Sequence, residues 1–262
     1  MPIDGKNSQD MPDPAEQAKR AADLGFEGKS GMRETPRQVY LDGCLEIANA
    51  LREDGFTYLK SGPKLRRKSD DFRFEISFQS SHANIPGELV VLWIHGYIFS
   101  PSLKKWRSDH ACLVKRSDFV AGGQIGNLRY PQAWLAWNLA LPGERGRQTA
   151  DALSAIRAII CPSFAMFDDI PSLVQRLVDE DLPAFSPAST LDFLMCFGTK
   201  ADALQAAVSM FQRMPTVQAG YAEACARFRQ QGLPSYTPSV HAEVLAMASL
   251  VYDFPDLGRE AG

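Results

Sequence analysis

Residues Phe72–Ser80 read FRFEISFQS, and the alternation in this stretch decides the fold class. Phe72, Phe74, Ile76 and Phe78 fall on one side of an extended chain; Arg73, Glu75, Ser77 and Gln79 fall on the other. A period of two with one apolar and one polar side marks a half-buried strand. The next strand-like stretch, ELVVLWIHGYIF (88–99), is apolar on both sides. One side carries Val90, Leu92, Ile94 and Ile98, and the other Leu89, Val91, Trp93, His95, Tyr97 and Phe99. That pattern predicts a central strand covered on both faces. Shorter strands are expected at Cys112–Lys115, Phe119–Ile125 and Ala133–Leu139, the last sending Trp134 and Trp137 to opposite faces.

Helices flank these strands. Thr35 followed by Pro36 is a helix start, and Val39, Leu41, Leu45, Ile47, Ala48 and Leu51 supply its apolar stripe up to Gly55. Beyond Pro142 the pattern predicts helices at Thr149–Phe167, Pro171–Asp179, Leu191–Phe197, Asp202–Arg213, Val217–Gln230 and Val240–Tyr252. Pro162 is expected to break or kink the first of them. The whole reads as an α+β fold, an antiparallel β-meander backed by helices, with a helical C-terminal lobe. Residues 1–33 read as a mobile polar arm, 34–170 as the α+β domain and 171–262 as the lobe.

The net charge of −3 over 262 residues conceals a division. Residues 52–147 hold 15 Lys and Arg against 9 Asp and Glu, whereas residues 148–262 hold 7 against 13. A basic middle and an acidic end suit an anionic partner, a protein partner or head-to-tail self-association. No run of about 18 consecutive apolar residues occurs, so no membrane-spanning helix is expected. The five scattered cysteines read as free thiols, and a cytoplasmic location is expected.

Several motifs fail on their chemistry. GGQIGN (122–127) leads into Pro131 and a strand-like stretch, so no helix N-terminus is present to hold a pyrophosphate, and its glycines are expected to shape a hairpin or bulge. GFEGKS (25–30) lacks the first glycine of a phosphate loop, that position being Asp23. His241 and Glu243 have no following cysteine pair to complete a deaminase zinc site. The reading assigns no catalytic residue, no metal ligand and no cofactor. His95 reads as a core histidine, or else as part of a ligand pocket with Trp93 and Tyr97.

The basic runs KLRRKS (64–69), SLKKWR (102–107) and VKRS (114–117) fall at expected strand or loop boundaries. They either meet at one rim of the sheet or stand apart in separate loops. If they meet, Lys64, Arg66, Arg67, Lys104, Lys105, Trp106 and Arg107 form a binding rim. Arg145 and Arg147 join them as a small anion site in the loop before the next helix.

A wider resemblance covers residues 36–180. Gly55, Phe56, Lys60, the Phe72–Ser80 strand, Trp137 and CPSFAMFDD (161–169) resemble bacterial domain-of-unknown-function family 4304. The resemblance implies a small bacterial cytoplasmic protein and brings no catalytic residues. The first functional expectation is therefore a non-catalytic binding protein acting by protein–protein contact, in an immunity or defence setting. The second is an anion or nucleic-acid binder using the basic rim, and the third an enzyme built on His95 and its aromatic neighbours.

Overall fold

The computed structural model of the chain describes residues 34–115 and 117–260. The arm read over residues 1–33, and GFEGKS within it, lie outside these. Thr35 caps α1 (Pro36–Ala50), its side-chain oxygen accepting from the Gln38 N–H at 3.2 Å, with Pro36 in the first turn. The buried side of α1, including Val39, Cys44 and Ile47, joins the core, and Gly43 packs against Leu139.

Among the described residues the sheet has six strands, all pairs antiparallel. They are β1 (Thr57–Leu59), β2 (Lys64–Ser69), β3 (Phe72–Ser80), β4 (Val91–Phe99), β5 (Phe119–Gln124) and β6 (Trp137–Asn138). The first five lie side by side in chain order, the expected meander, and β6 pairs with the start of β4. A helix, α2 (Pro101–Asp109), sits between β4 and β5, and α3 (Pro142–Ala155) follows β6. The chain then runs through α4 (Cys161–Ala165), α5 (Ile170–Asp179), α6 (Pro187–Phe197), α7 (Lys200–Arg213), α8 (Pro215–Gln231), α9 (His241–Val251) and α10 (Leu257–Glu260). The fold is α+β, with the helical lobe after the sheet.

One face of the sheet makes the core. Leu65, Phe74, Ile76, Leu92, Ile94 and Ile98 point toward Ile156, Ile160, Phe164 and Phe193, all buried. The rings of Phe74 and Phe164 lie 4.9 Å apart, as do those of Phe72 and Phe167. Each such buried side chain stabilises the fold by about 1.5–3 kcal/mol. Buried residues from Val39 to Leu257 form one continuous cluster, so the lobe and the sheet share a core.

Several elements differ from expectation, each for a local reason. SLKKWR is helical: Ser100 accepts from the Leu103 N–H at 3.0 Å and Pro101 fills the first turn, the same start signal as Thr35-Pro36. Cys112–Lys115 is no strand, because the Leu113 and Val114 N–H groups bond to the Asp192 carboxylate. Of Ala133–Leu139 only Trp137 and Asn138 pair, which leaves Trp134 outside the sheet. The helix after β6 begins at Pro142, so Arg145 and Arg147 lie inside α3. Pro162 does not break it. A π turn at Ile156–Ile160, with the Cys161 N–H on the Ile156 carbonyl, carries the helix into α4.

The helical run Pro142–Asp168 is 27 residues long with a mean hydropathy of 1.4 over its best window, enough in length and composition to cross a membrane. The expectation of no such segment counted only consecutive apolar residues. Ile156, Ile160, Phe164 and Phe167 of this run are committed to the core. All five cysteines are free, and Cys44, Cys112 and Cys225 are buried.

Gly122 and Gly126 shape the backbone, as their context predicts. Gly122 has φ +139°, and a Cβ there would stand 2.2 Å from the Gly96 carbonyl, beside the register shift at Ile98/Phe99. A Cβ on Gly126 would stand 1.7 Å from the Ala133 carbonyl.

Candidate functional site

The strand registers put a second set of side chains on the face away from the core. Arg66 pairs with Glu75 and Glu75 with Tyr97, while Lys64 pairs with Ser77, Ser77 with His95 and His95 with Gln124. Lys68 pairs with Arg73 and Arg73 with Phe99. Cations therefore come from β2 and β3, and aromatic rings from β4 and β5. The central strand contributes Trp93, His95, Tyr97 and Phe99 in an unbroken alternate row. Its apolar character on both sides thus has two origins, a core side of Leu and Ile and an outer side of half-buried rings.

The row is packed ring to ring. His95 stacks on Tyr97 at 5.9 Å and 14°, and Phe119 meets Tyr97 at 6.3 Å and Phe99 at 6.1 Å. The Arg73 guanidinium lies 4.4 Å from the centre of the Phe99 ring. Trp134, 47% exposed, stands edge-on against Trp93 at 6.0 Å and His95 at 6.3 Å.

The loop of residues 125–136 that carries Trp134 is held by Gln124. Its side-chain carbonyl accepts from the Gly126 N–H at 2.7 Å and its amide donates to the Leu135 carbonyl. Ala133 N–H donates to the Gly126 carbonyl at 3.1 Å, an approach that a glycine at 126 permits. The tryptophan is thus carried over the sheet by a tied loop.

Glu75, buried at 6%, is the anchor of the cationic side. Lys64 Nζ and Arg66 Nη2 each lie 2.9 Å from its carboxylate, and Arg73 Nε lies 3.0 Å away. Burial works to raise its pKa, but the hydrogen bonds and charges of Lys64 and Arg66 outweigh that and hold it below the usual carboxylate range. Lys68 is exposed beside them.

The other residues of the expected rim go elsewhere. Arg67 points to the core face, its guanidinium between the rings of Phe56 at 5.2 Å and Phe74 at 5.1 Å. Lys104 and Lys105 are exposed on α2, with Lys105 3.4 Å from Asp109. Trp106 is half-buried against His110 and Tyr252. Arg107 is fully buried: Nε donates to Asp192 at 2.7 Å, and Nη1 to the carbonyls of Ser117 and Phe119. Arg145 pairs with Glu34 at 2.9 Å and Arg147 with Glu144 at 2.7 Å. Of the nine residues, the structure brings only Lys64 and Arg66 to the aromatic face. The sequence puts Trp93, His95, Tyr97 and Phe99 on one side of the central strand, but does not join Arg73, Phe119 and Trp134 to them. The alternation of FRFEISFQS already carried the signal for Arg73.

His95 is 7% exposed and its Nδ1 has no hydrogen-bond partner. Burial lowers its pKa, so the imidazole is neutral at neutral pH. It is therefore no satisfied core histidine. Among the described residues no group of three or more His, Cys, Asp or Glu side chains is placed to hold a metal ion.

Comparison of the chain with models of known protein families, with curated proteins and with solved structures gives no match.

Proposed function

We propose that this chain is a binding protein that holds a single-stranded nucleic acid against the outer face of its sheet. The observation that carries the reading is the row of rings on β4, extended by Phe119 and Trp134, beside the cations Lys64, Arg66, Lys68 and Arg73 on the same face. Unpaired bases stack on aromatic side chains, while cations follow the phosphate chain and release its counterions. A sheet face presents both at the strand spacing, and a duplex, its bases already stacked on each other, gains little from the rings.

The test is equilibrium binding of labelled DNA and RNA oligonucleotides of about 12 nucleotides, single- and double-stranded. Single strands should bind in preference to duplex. The affinity should fall with salt, with a slope of log K on log salt of about −2, since Glu75 offsets part of the cationic row. Lys68→Ala and Trp134→Ala should each weaken binding in a chain that still folds. Equal or absent binding of both forms would sink the reading.

A protein partner is the second reading, favoured by one observation. Three of the four cations are already engaged by Glu75, which suits a polar interface rim more than a phosphate track. Trp, Tyr and Arg are also the side chains that most often anchor protein interfaces. A stoichiometric partner retained after nuclease treatment and lost in Trp134→Ala would put this reading first.

A further inference from the structure

We infer that His95 and Trp134 together form a pocket for one unpaired base, stacked by the tryptophan and read along its edge by the imidazole. The inference rests on the nucleic-acid reading above and names its specificity-determining residue.

Four buried side-chain polar atoms lack partners among the described residues, and three belong to arginines whose guanidinium groups are otherwise engaged. Arg67 is held between two phenylalanine rings, Arg73 beside Glu75 and Phe99, and Arg107 on Asp192 and two carbonyls. His95 is different. Among the described residues its side chain makes no hydrogen bond, although it lies at the centre of the outer face. A buried polar atom without a partner is unfavourable, so the fold carries a penalty that a ligand can relieve.

The surroundings fit a planar, uncharged, hydrogen-bonding ring. Tyr97 and Trp134 flank the imidazole with aromatic surface, and Trp93 packs against Trp134. Gln124, its cross-strand neighbour, has both ends of its amide committed to the loop and does not compete for a ligand. Ser77, the neighbour on the other side, adds a hydroxyl. A neutral imidazole offers one donor and one acceptor, which matches a base edge and not a phosphate. Trp134 supplies the stacking surface: its loop is tied by Gln124, and its half-exposed side chain stands beside the imidazole where a base can reach it.

The experiment measures binding of single-stranded homopolymers of each base, about 12 nucleotides long, to the wild type, His95→Phe, His95→Asn and Trp134→Ala. The wild type should prefer one base by about tenfold, the scale of one well-placed polar contact. His95→Phe should weaken the preferred base by about tenfold, to the level of the other homopolymers, and leave those others little changed, and His95→Asn should restore part of the preference. Trp134→Ala should weaken every homopolymer. If the homopolymers bind without preference, or His95→Phe leaves the preference unchanged, the inference falls while the nucleic-acid reading stands. If none binds, that reading itself fails. A thermal scan of each variant confirms that it is folded.

Discussion

Arg107 Nε lies 2.7 Å from the Asp192 carboxylate, both side chains at 0% exposure and 85 residues apart in sequence. Asp192 also accepts from the Leu113 and Val114 N–H groups and from the Tyr252 hydroxyl. The carboxylate therefore joins α2, the loop after it, α6 and the end of α9, and fastens the helical lobe to the sheet. Each donor satisfies a lone pair, which is what a buried ion needs to be retained.

Removing one partner leaves the other charged and buried. Arg107→Ala and Asp192→Ala should each destabilise the fold by about 3–5 kcal/mol, measured as a shift in the urea midpoint. Under conditions where the variants remain folded, oligonucleotide affinity should be unchanged. A selective loss of binding in folded Arg107→Ala would return this residue to the binding surface.

Glu75 predicts an acid-sensitive step. Its pKa in the fold lies below the ordinary 4.5, so its contribution is present above that value. It is lost as pH falls from about 4.5 through the lower folded value, because the unfolded chain takes up the proton first. Glu75→Gln should be less stable than the wild type at neutral pH and should flatten this part of the stability profile. Urea unfolding at a series of acidic pH values reads both effects, and an unaltered profile would remove Glu75 from the account.

His95 carries a stability cost in the absence of a ligand. His95→Phe removes a buried atom without a partner and keeps a ring among rings, so it should stabilise the free protein by about 1 kcal/mol. The wild type should also lose stability as pH falls below about 6.5, since burial depresses the folded pKa and the unfolded chain protonates first. The variant should lack that decline. A less stable His95→Phe would mean that the imidazole makes a contact the phenyl ring cannot replace.

The period-two signal of Phe72–Ser80 gave the strand, its core side and its polar side without ambiguity, because one face was wet. The distribution of the basic runs was harder to read. Arg66 and Arg67 are adjacent in sequence, yet a strand sends them to opposite faces, one to Glu75 and one between Phe56 and Phe74. Ser100-Pro101 announced a helix in the same terms as Thr35-Pro36, so the helical SLKKWR was legible. The burial of Arg107 was not, since its partner Asp192 belongs to a distant helix and no local pattern connects them. His95 stood out by its aromatic neighbours, but only the tertiary arrangement shows its unpartnered nitrogen and Trp134 above it.

The Trp134 loop supplies the last prediction. Gly126 is the point where the loop closes on Ala133, and a Cβ there would be 1.7 Å from that carbonyl, too close for any rotamer to relieve. Gly126→Ala must therefore open the loop, breaking the Ala133 N–H bond to the Gly126 carbonyl and displacing Trp134 from Trp93 and His95. Ile125 and Leu128, beside Gly126, belong to the core, so part of the strain falls on packing there. Oligonucleotide affinity should fall as far as in Trp134→Ala, while the urea midpoint shows a loss of about 1–3 kcal/mol, the range for a local backbone conflict. Adding Trp134→Ala to Gly126→Ala should then cost little further affinity, because both act through the position of one ring. Additive losses would show that the loop binds through some other group, and that the tryptophan is held over His95 for packing alone.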